Sequence, residues 1–276
     1  MKSFIKETLT GLARNELTWP ILKPFSTLGF FLFHARSSFM REKDERKFKD
    51  MFSQKLEVQN GPFKGMKYPA VDSVGSNIFP KLLGSYEKEL WETVEEFKRN
   101  DYTEIIDIGC AEGYYAVGLA MCKPAAKVYA YDISEKARRL CKEMAELNKV
   151  ADRVMIKSEC TAEELGTFPF TGKGLIICDC EGFEKELFNR NNIRNLVNCD
   201  LLIETHDFID LSISTYLKDI FRETHDIKVI KSVDDIEKAL TYNLPGVEEL
   251  SFPERKQVMA EERPAIMEWL ICRAKV

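Results

Sequence analysis

The sequence has no Cys-x-x-Cys pair, no dinucleotide-type G-x-G-x-x-G and no excess of positive charge. Its eight cysteines stand at 110, 122, 141, 160, 178, 180, 199 and 272. That spacing resembles neither a disulfide framework nor a zinc site. Reduced thiols in a cytoplasmic protein are the expectation, with Cys178 and Cys180 on the same face of one strand. Lysines and arginines number 40 against 45 acids, a net charge of −5. This argues against the broad basic face of a nucleic-acid-binding protein, and no nucleic-acid partner is expected. The most apolar stretch, Trp19–Phe33, is broken by Pro20, Lys23 and Pro24 and is too short to span a bilayer. It also lacks the small-residue cleavage site of a signal peptide. What is present suffices for a core: 276 residues, 45% hydrophobic and 31% charged, fit one large domain or one domain with an appendage.

The stretch Ile105–Ala120, IIDIGCAEGYYAVGLA, organises the chain. The run Ile105-Ile106-Asp107-Ile108 reads as a buried parallel strand. It breaks at Gly109, reaches Gly113 and continues from Tyr114 with helical spacing. Glycines allow positive φ and close approach of a ligand to the main chain, and a helix start presents free N–H groups. Gly109, Cys110, Ala111, Gly113 and Tyr114 are therefore candidate cofactor contacts. Asp107, inside the strand, sits poorly beside a pyrophosphate and suits an ammonium or sulfonium group. The stretch resembles motif I of class I S-adenosylmethionine (SAM)-dependent methyltransferases, with Ala111 where many members have the middle glycine.

Two further strand ends extend this reading. Lys127–Tyr131 ends at Asp132, whose carboxylate can accept hydrogen bonds from both ribose hydroxyls. Ile133 follows, placed to pack on an adenine face. A third strand, 153–157, ends at Ser158-Glu159-Cys160, where a backbone N–H and a side-chain oxygen can read the adenine edge. The expected cofactor is SAM, held by Asp107, the turn residues, Asp132, Ile133, Glu159, Cys160 and, at its methionine end, Asp179.

The alternation continues with a short helix at 161–165, a strand at 174–178, a helix over 185–198 and a strand at 200–204. A helix at 211–222 and strands at 226–230 and 264–273 complete it. The fold class expected is α/β: a doubly wound, mostly parallel Rossmann-like methyltransferase sheet with an N-terminal helical appendage. Ligands of such sheets bind at the carboxyl ends of the strands. That rule gathers Asp107, Asp132, Glu159, Asp179, Glu181, Glu204 and His206 on one rim.

Asp179–Glu184, DCEGFE, followed by Ile203–Asp207, IETHD, resembles the FkbM-type branch of the methyltransferases. The resemblance covers about residues 80–276 and leaves the first 60 unexplained. It implies methylation of a hydroxyl on a small molecule or glycan. Such a hydroxyl must lose its proton, and a positioned base contributes on the order of 100- to 10,000-fold. His206 has the best-matched unperturbed pKa. Asp179 and Glu181 can act instead, if burial raises their pKa or if they orient the hydroxyl. Asp179, Glu204 and His206 are also candidate ligands for a divalent cation, although nothing in their spacing forces a metal. Alternatives are N-methylation and a SAM-binding scaffold without turnover. The fourth strand ends in DCEG rather than the Asp/Asn-Pro-Pro-aromatic tetrapeptide common among amino methyltransferases.

The expected domain plan is an appendage over 1–60, a cap and lead-in helix over 61–100, and a core over 101–276 with an insertion at 231–263 that covers the acceptor. In the lead-in, Tyr86 and Glu87 are ligand candidates. In the insertion, Arg263 is placed to reach an anionic acceptor. The appendage reads two ways: helices packing on the core or on a second copy in a homo-oligomer, or a peripheral membrane contact through Trp19, Phe30, Phe31 and Phe33.

Overall fold

The computed structural model describes residues 2–53 and 55–275. Its contacts divide the chain into two units that meet at Met51 and Phe52. The first unit holds helices α1, Lys2–Arg14, and most of α2, Trp19–Ser53. Phe25, Phe30, Phe31, Leu32 and Phe33 on α2 are each at least 60% exposed. Among the described residues, no helix is long and apolar enough to cross a membrane.

The second unit is built on seven strands: β1 Glu104–Ile108, β2 Lys127–Tyr131, β3 Val154–Lys157, β4 Gly174–Cys178, β5 Cys199–Thr205, β6 His225–Lys231 and β7 Glu268–Ala274. They lie in the order β3-β2-β1-β4-β5-β7-β6. All pairings are parallel except those of β7, which runs antiparallel between β5 and β6. Every residue of β1, β4 and β5 is buried, as continuous apolar runs in the middle of a two-faced sheet require. On one face Ile106, Ile108, Ile176 and Ile203 share a core with Leu165, Phe188, Leu217 and Phe221. This is the doubly wound, mostly parallel Rossmann-like sheet that the alternation predicts.

Helices connect the strands: α3 Ile78–Leu83 and α4 Trp91–Arg99 before β1, α5 Tyr114–Cys122, α6 Glu135–Leu147, α7 Ala162–Thr167, α8 Glu184–Leu187, α9 Ile213–Phe221, α10 Asp235–Thr241 and α11 Phe252–Val258. Caps set several of their starts. Ser134 accepts from the N–H of Ala137, and Thr161 accepts from that of Glu164, each satisfying a donor the helix leaves open. The single helix expected over 185–198 does not form. After the four residues of α8, Asn192 donates from its side chain to the carbonyls of Leu187 (2.7 Å) and Ala162 (3.0 Å). Its amide oxygen accepts from the N–H of Asn189 at 3.0 Å. Asparagine side chains thus replace the helical ladder. The last strand also begins later than expected, at Glu268, leaving residues 264–267 outside it.

The lead-in is clipped to the turn after β1 by a buried ion pair. Lys81 Nζ stands 2.5 Å from Glu112, with both side chains 2% exposed. Glu112 also accepts from the Val74 N–H at 3.2 Å. The pair holds α3 and the loop before it against the glycine turn.

Candidate active site

The carboxyl ends of β1, β2, β4 and β5 open into one cavity of about 600 Å³. The turn after β1 is tied to the tip of β2, since the N–H groups of Gly109 and Cys110 both donate to the Tyr131 carbonyl, at 2.9 and 3.0 Å. Gly109 has φ +80°. Ala111 takes φ +48° where glycine would be unstrained, and its N–H donates to Asp132 Oδ2 at 2.9 Å. Asp132 Oδ1 accepts from the N–H of Ser134 at 2.8 Å. Both oxygens of Asp132 are thereby oriented, and each keeps a further acceptor position.

Asp107, Gly109, Cys110, Ala111, Tyr114 and Asp132 line this cavity. So do Ile133, exposed at the rim, and Glu159 and Cys160 beyond it. Gly113 plays another part. It starts α5 at φ +96°, and a Cβ there would stand 2.8 Å from Cys141 Sγ. From the lead-in, Tyr86 and Glu87 reach the same space, and Tyr86 packs edge-on against Tyr114 with ring centres 5.1 Å apart.

The same cavity is lined by Asp179 after β4 and His206 after β5. His206 is buried, and its Nδ1 is held by the buried Glu184 at 2.5 Å. Its Nε2 faces Asp179 Oδ1 and Glu181 Oε2, each at 3.4 Å. Glu181 gets there because the chain turns back sharply, with φ +53° at Glu181 and +98° at Gly182. No side chain caps the start of α8; Glu184, its first residue, accepts from the N–H of Gly182 at 3.2 Å.

Glu204 takes a different role from the one expected. Its carboxylate pairs with the Arg263 guanidinium, so it does not join Asp179 and His206 as a metal ligand. Arg263 also binds Glu87 at 2.6 Å and Glu261 at 2.9 Å. The arginine expected to meet an anionic acceptor is thus occupied by three acids of its own chain, and it ties the insertion to the lead-in and to β5.

Nine carboxylates line the cavity against one lysine and one arginine. Lys81 and Arg263 are both engaged in ion pairs, so the field inside favours a cationic ligand. Burial pushes the Asp107 carboxyl up to about 8; a hydrogen bond from Ala116 opposes this, and the charges of Asp179 and Asp132 add to it. One Asp107 oxygen is buried without a hydrogen-bond partner. Burial raises Glu87 to about 7 against the pull of Arg263. Burial likewise raises Asp179 and Glu204. Desolvation opposes charge on His206, but its hydrogen bond to Glu184 and the field of Asp179 outweigh it and raise its pKa.

Sequence reasoning missed the Lys81–Glu112 pair and the role of Glu184. The signal for Glu112 was an acid inside an otherwise small and apolar turn. For Glu184 it was the second glutamate of the quoted Asp179–Glu184 stretch.

Residues 99–181 match the profile of a family described as "Methyltransferase domain". The matched segment runs from the end of α4 to the Asp-x-Glu after β4, and so takes in the four strands β1 to β4 and the turns that line the cavity. No curated protein matches the chain. Solved structures with a similar fold include a precorrin-6y C5,15-methyltransferase from Geobacter metallireducens, at 12% identity and TM-score 0.44, covering 67% of this chain and 86% of that one. An rRNA methylase from Streptococcus thermophilus aligns at 12% identity and TM-score 0.44, covering 68% and 97%. A SAM-dependent O-methyltransferase from Thermotoga maritima aligns at 15% identity and TM-score 0.40, covering 69% and 66%.

Proposed function

We propose that the protein transfers a methyl group from SAM to a hydroxyl oxygen of a small molecule or glycan. The observation that carries this reading is a single acidic cavity. It brings the Gly109–Asp132 rim and the Asp179–Glu181–His206 group into one space.

The residues present fit the cofactor. An unpartnered buried oxygen on Asp107 suits an ammonium or sulfonium, and the turn at Gly109 brings main chain to the cavity wall. Asp132 holds two oriented oxygens for ribose hydroxyls, with Ile133 beside them for a flat base. Bound SAM supplies a methyl group on a sulfonium, open to in-line displacement, for which positioning carries much of the rate. The chain's own part is to orient the acceptor and manage its proton. Asp179, Glu181 and His206 stand where the hydroxyl must lie if the methyl donor occupies the Asp107 end. Tyr86, Glu87 and the Glu261–Arg263 segment close the cavity over it and limit water. The Asp179–Glu184 stretch supports the FkbM-type branch, whose implied chemistry is hydroxyl methylation.

The test is calorimetric titration with SAM and S-adenosylhomocysteine, wild type beside Asp132→Ala. Micromolar binding that the substitution weakens by about 1 kcal/mol or more is expected, the scale of a lost hydrogen bond to a charged group. No binding of either ligand to the wild type would overturn the reading.

A further inference from the structure

We propose that Asp179, Glu181 and His206 form a binding site for one divalent first-row transition cation at the acceptor end of the cavity. The proposal rests on the methyl-transfer reading only for what the ion does there.

The geometry is that of donors awaiting a shared centre. One atom from each residue lies within 4.8 Å of the other two. His206 Nε2 is 3.4 Å from each carboxylate oxygen, beyond the roughly 2.7–3.2 Å of a good N–H···O bond. Two donors bound to one ion at about 2.1 Å, opened by about 90–110°, stand about 3.0–3.4 Å apart. Glu181 is the flexible member, with 73% of its side chain exposed, and can close the remaining gap.

Two further observations point to a ligand. Asp179 Oδ1 is buried and has no hydrogen-bond partner. Glu184, fully buried, holds His206 Nδ1 at 2.5 Å. A carboxylate on the far nitrogen fixes the tautomer and turns the Nε2 lone pair toward the metal, as second-layer carboxylates do in histidine metal sites. The left-handed backbone at Glu181 is a strained conformation for a non-glycine residue, and it serves to return this carboxylate to His206.

The donor set, one imidazole nitrogen and two carboxylate oxygens, selects the ion. Imidazole suits iron, nickel, copper and zinc, and the two carboxylates admit manganese as well, whereas magnesium and calcium prefer oxygen alone. The remaining coordination positions open into the cavity. An acceptor hydroxyl placed there is polarised by the cation, which stabilises the oxygen charge left when the proton departs to solvent. Methyl transfer is redox-neutral, so no oxidant or reductant is required.

The experiment titrates chelator-treated full-length protein with Mn²⁺, read by calorimetry and by loss of the free-ion paramagnetic resonance signal. One Mn²⁺ per chain is expected. His206→Asn and Glu181→Gln should each weaken it about tenfold or more, and Glu184→Gln about 10- to 100-fold. Asp132→Ala should leave it in place. No uptake of Mn²⁺ or Zn²⁺, or uptake that His206→Asn and Glu181→Gln leave unchanged, would overturn the proposal. Glu181 is exposed, so its variant remains informative if the histidine variant fails to fold. The same samples titrated with SAM separate the two ideas. SAM binding without metal uptake removes only the cation site. Metal uptake without SAM binding removes the methyltransferase reading and leaves the site standing.

Discussion

A Cβ on Gly109 would stand 1.7 Å from the backbone carbonyl oxygen of Asp179. The ends of β1 and β4 therefore touch main chain to main chain, and the Asp179 N–H donates to the Ile108 carbonyl at 2.9 Å. The strand that opens the glycine turn and the strand that ends at Asp179 are held as one piece.

Gly109→Ala must displace that carbonyl and also hold alanine at φ +80°. The expected cost is about 2 kcal/mol or more, a fall of about 4 °C or more in melting temperature. SAM affinity should fall with it, because Asp179 moves. An unchanged melting temperature together with unchanged affinity would refute the contact.

Asp107 gives a pH dependence with two signs. Its folded pKa of about 8 lies above the ordinary 3.8, so the folded state holds the proton more tightly than the unfolded chain. Its contribution to stability is therefore full below about pH 4 and is lost as pH rises toward 8. Affinity for a cationic ligand runs the other way, since ionised Asp107 attracts it. SAM affinity should rise from about pH 7 to about pH 9, and Asp107→Asn should flatten that rise. The same variant should melt higher than wild type at about pH 8.5, where burying the charge costs most. Parallel pH profiles for the two proteins, in affinity and in melting, would count against this role.

Arg263 neutralises Glu87, Glu204 and Glu261 together. Arg263→Met leaves the buried Glu87 and Glu204 without their cation, while Glu261 keeps Lys238 at 2.5 Å; breaking such an arrangement costs about 3–5 kcal/mol. The loss should be smaller near pH 6 than near pH 8, because Glu87, with a pKa of about 7, takes up a proton below that point. Adding Glu87→Gln to Arg263→Met should recover part of the loss. Equal destabilisation at both pH values would show that Glu87 does not share the charge.

For the N-terminal unit, we propose a peripheral contact with an anionic lipid surface. The exposed aromatic run on α2 is flanked by Arg14, Lys23 and Arg36, the mixed character of an interfacial helix. Full-length protein should co-sediment with phosphatidylserine-containing vesicles. Phe31→Ser with Phe33→Ser should reduce the bound fraction at least severalfold. No sedimentation, or none lost in the double variant, would remove the proposal.

The parts of this molecule written in local pattern were legible in advance. β4 forms over the residues its apolar run marks, and Asp132 sits at its strand tip, because a buried parallel strand and the turn after it depend on neighbours in sequence. The stretch 185–198 misled because the strand–helix alternation calls for a helix between β4 and β5, while the deciding interactions are the asparagine side chains at 189 and 192. The pairing of Arg263 with Glu87 and Glu204 was out of reach for another reason. Those partners lie 176 and 59 residues away, and only the folded sheet brings them together. The same holds for Glu184, whose position was read but whose hold on His206 depends on β5 lying beside β4.

The reversed strand β7 has a consequence for how such a protein can change. Because it runs antiparallel, Glu268 at its start lies opposite Thr205 at the end of β5, and Lys231 at the end of β6 lies opposite the same glutamate. Residues 232–267 thus form a loop hung by both ends from the rim beside His206, while Asp132 and Glu159 follow β2 and β3 toward the other edge of the sheet. An exchange of that loop would leave the turns after β1, β2 and β3 untouched in sequence, but it would have to keep Arg263, which neutralises Glu87 and Glu204.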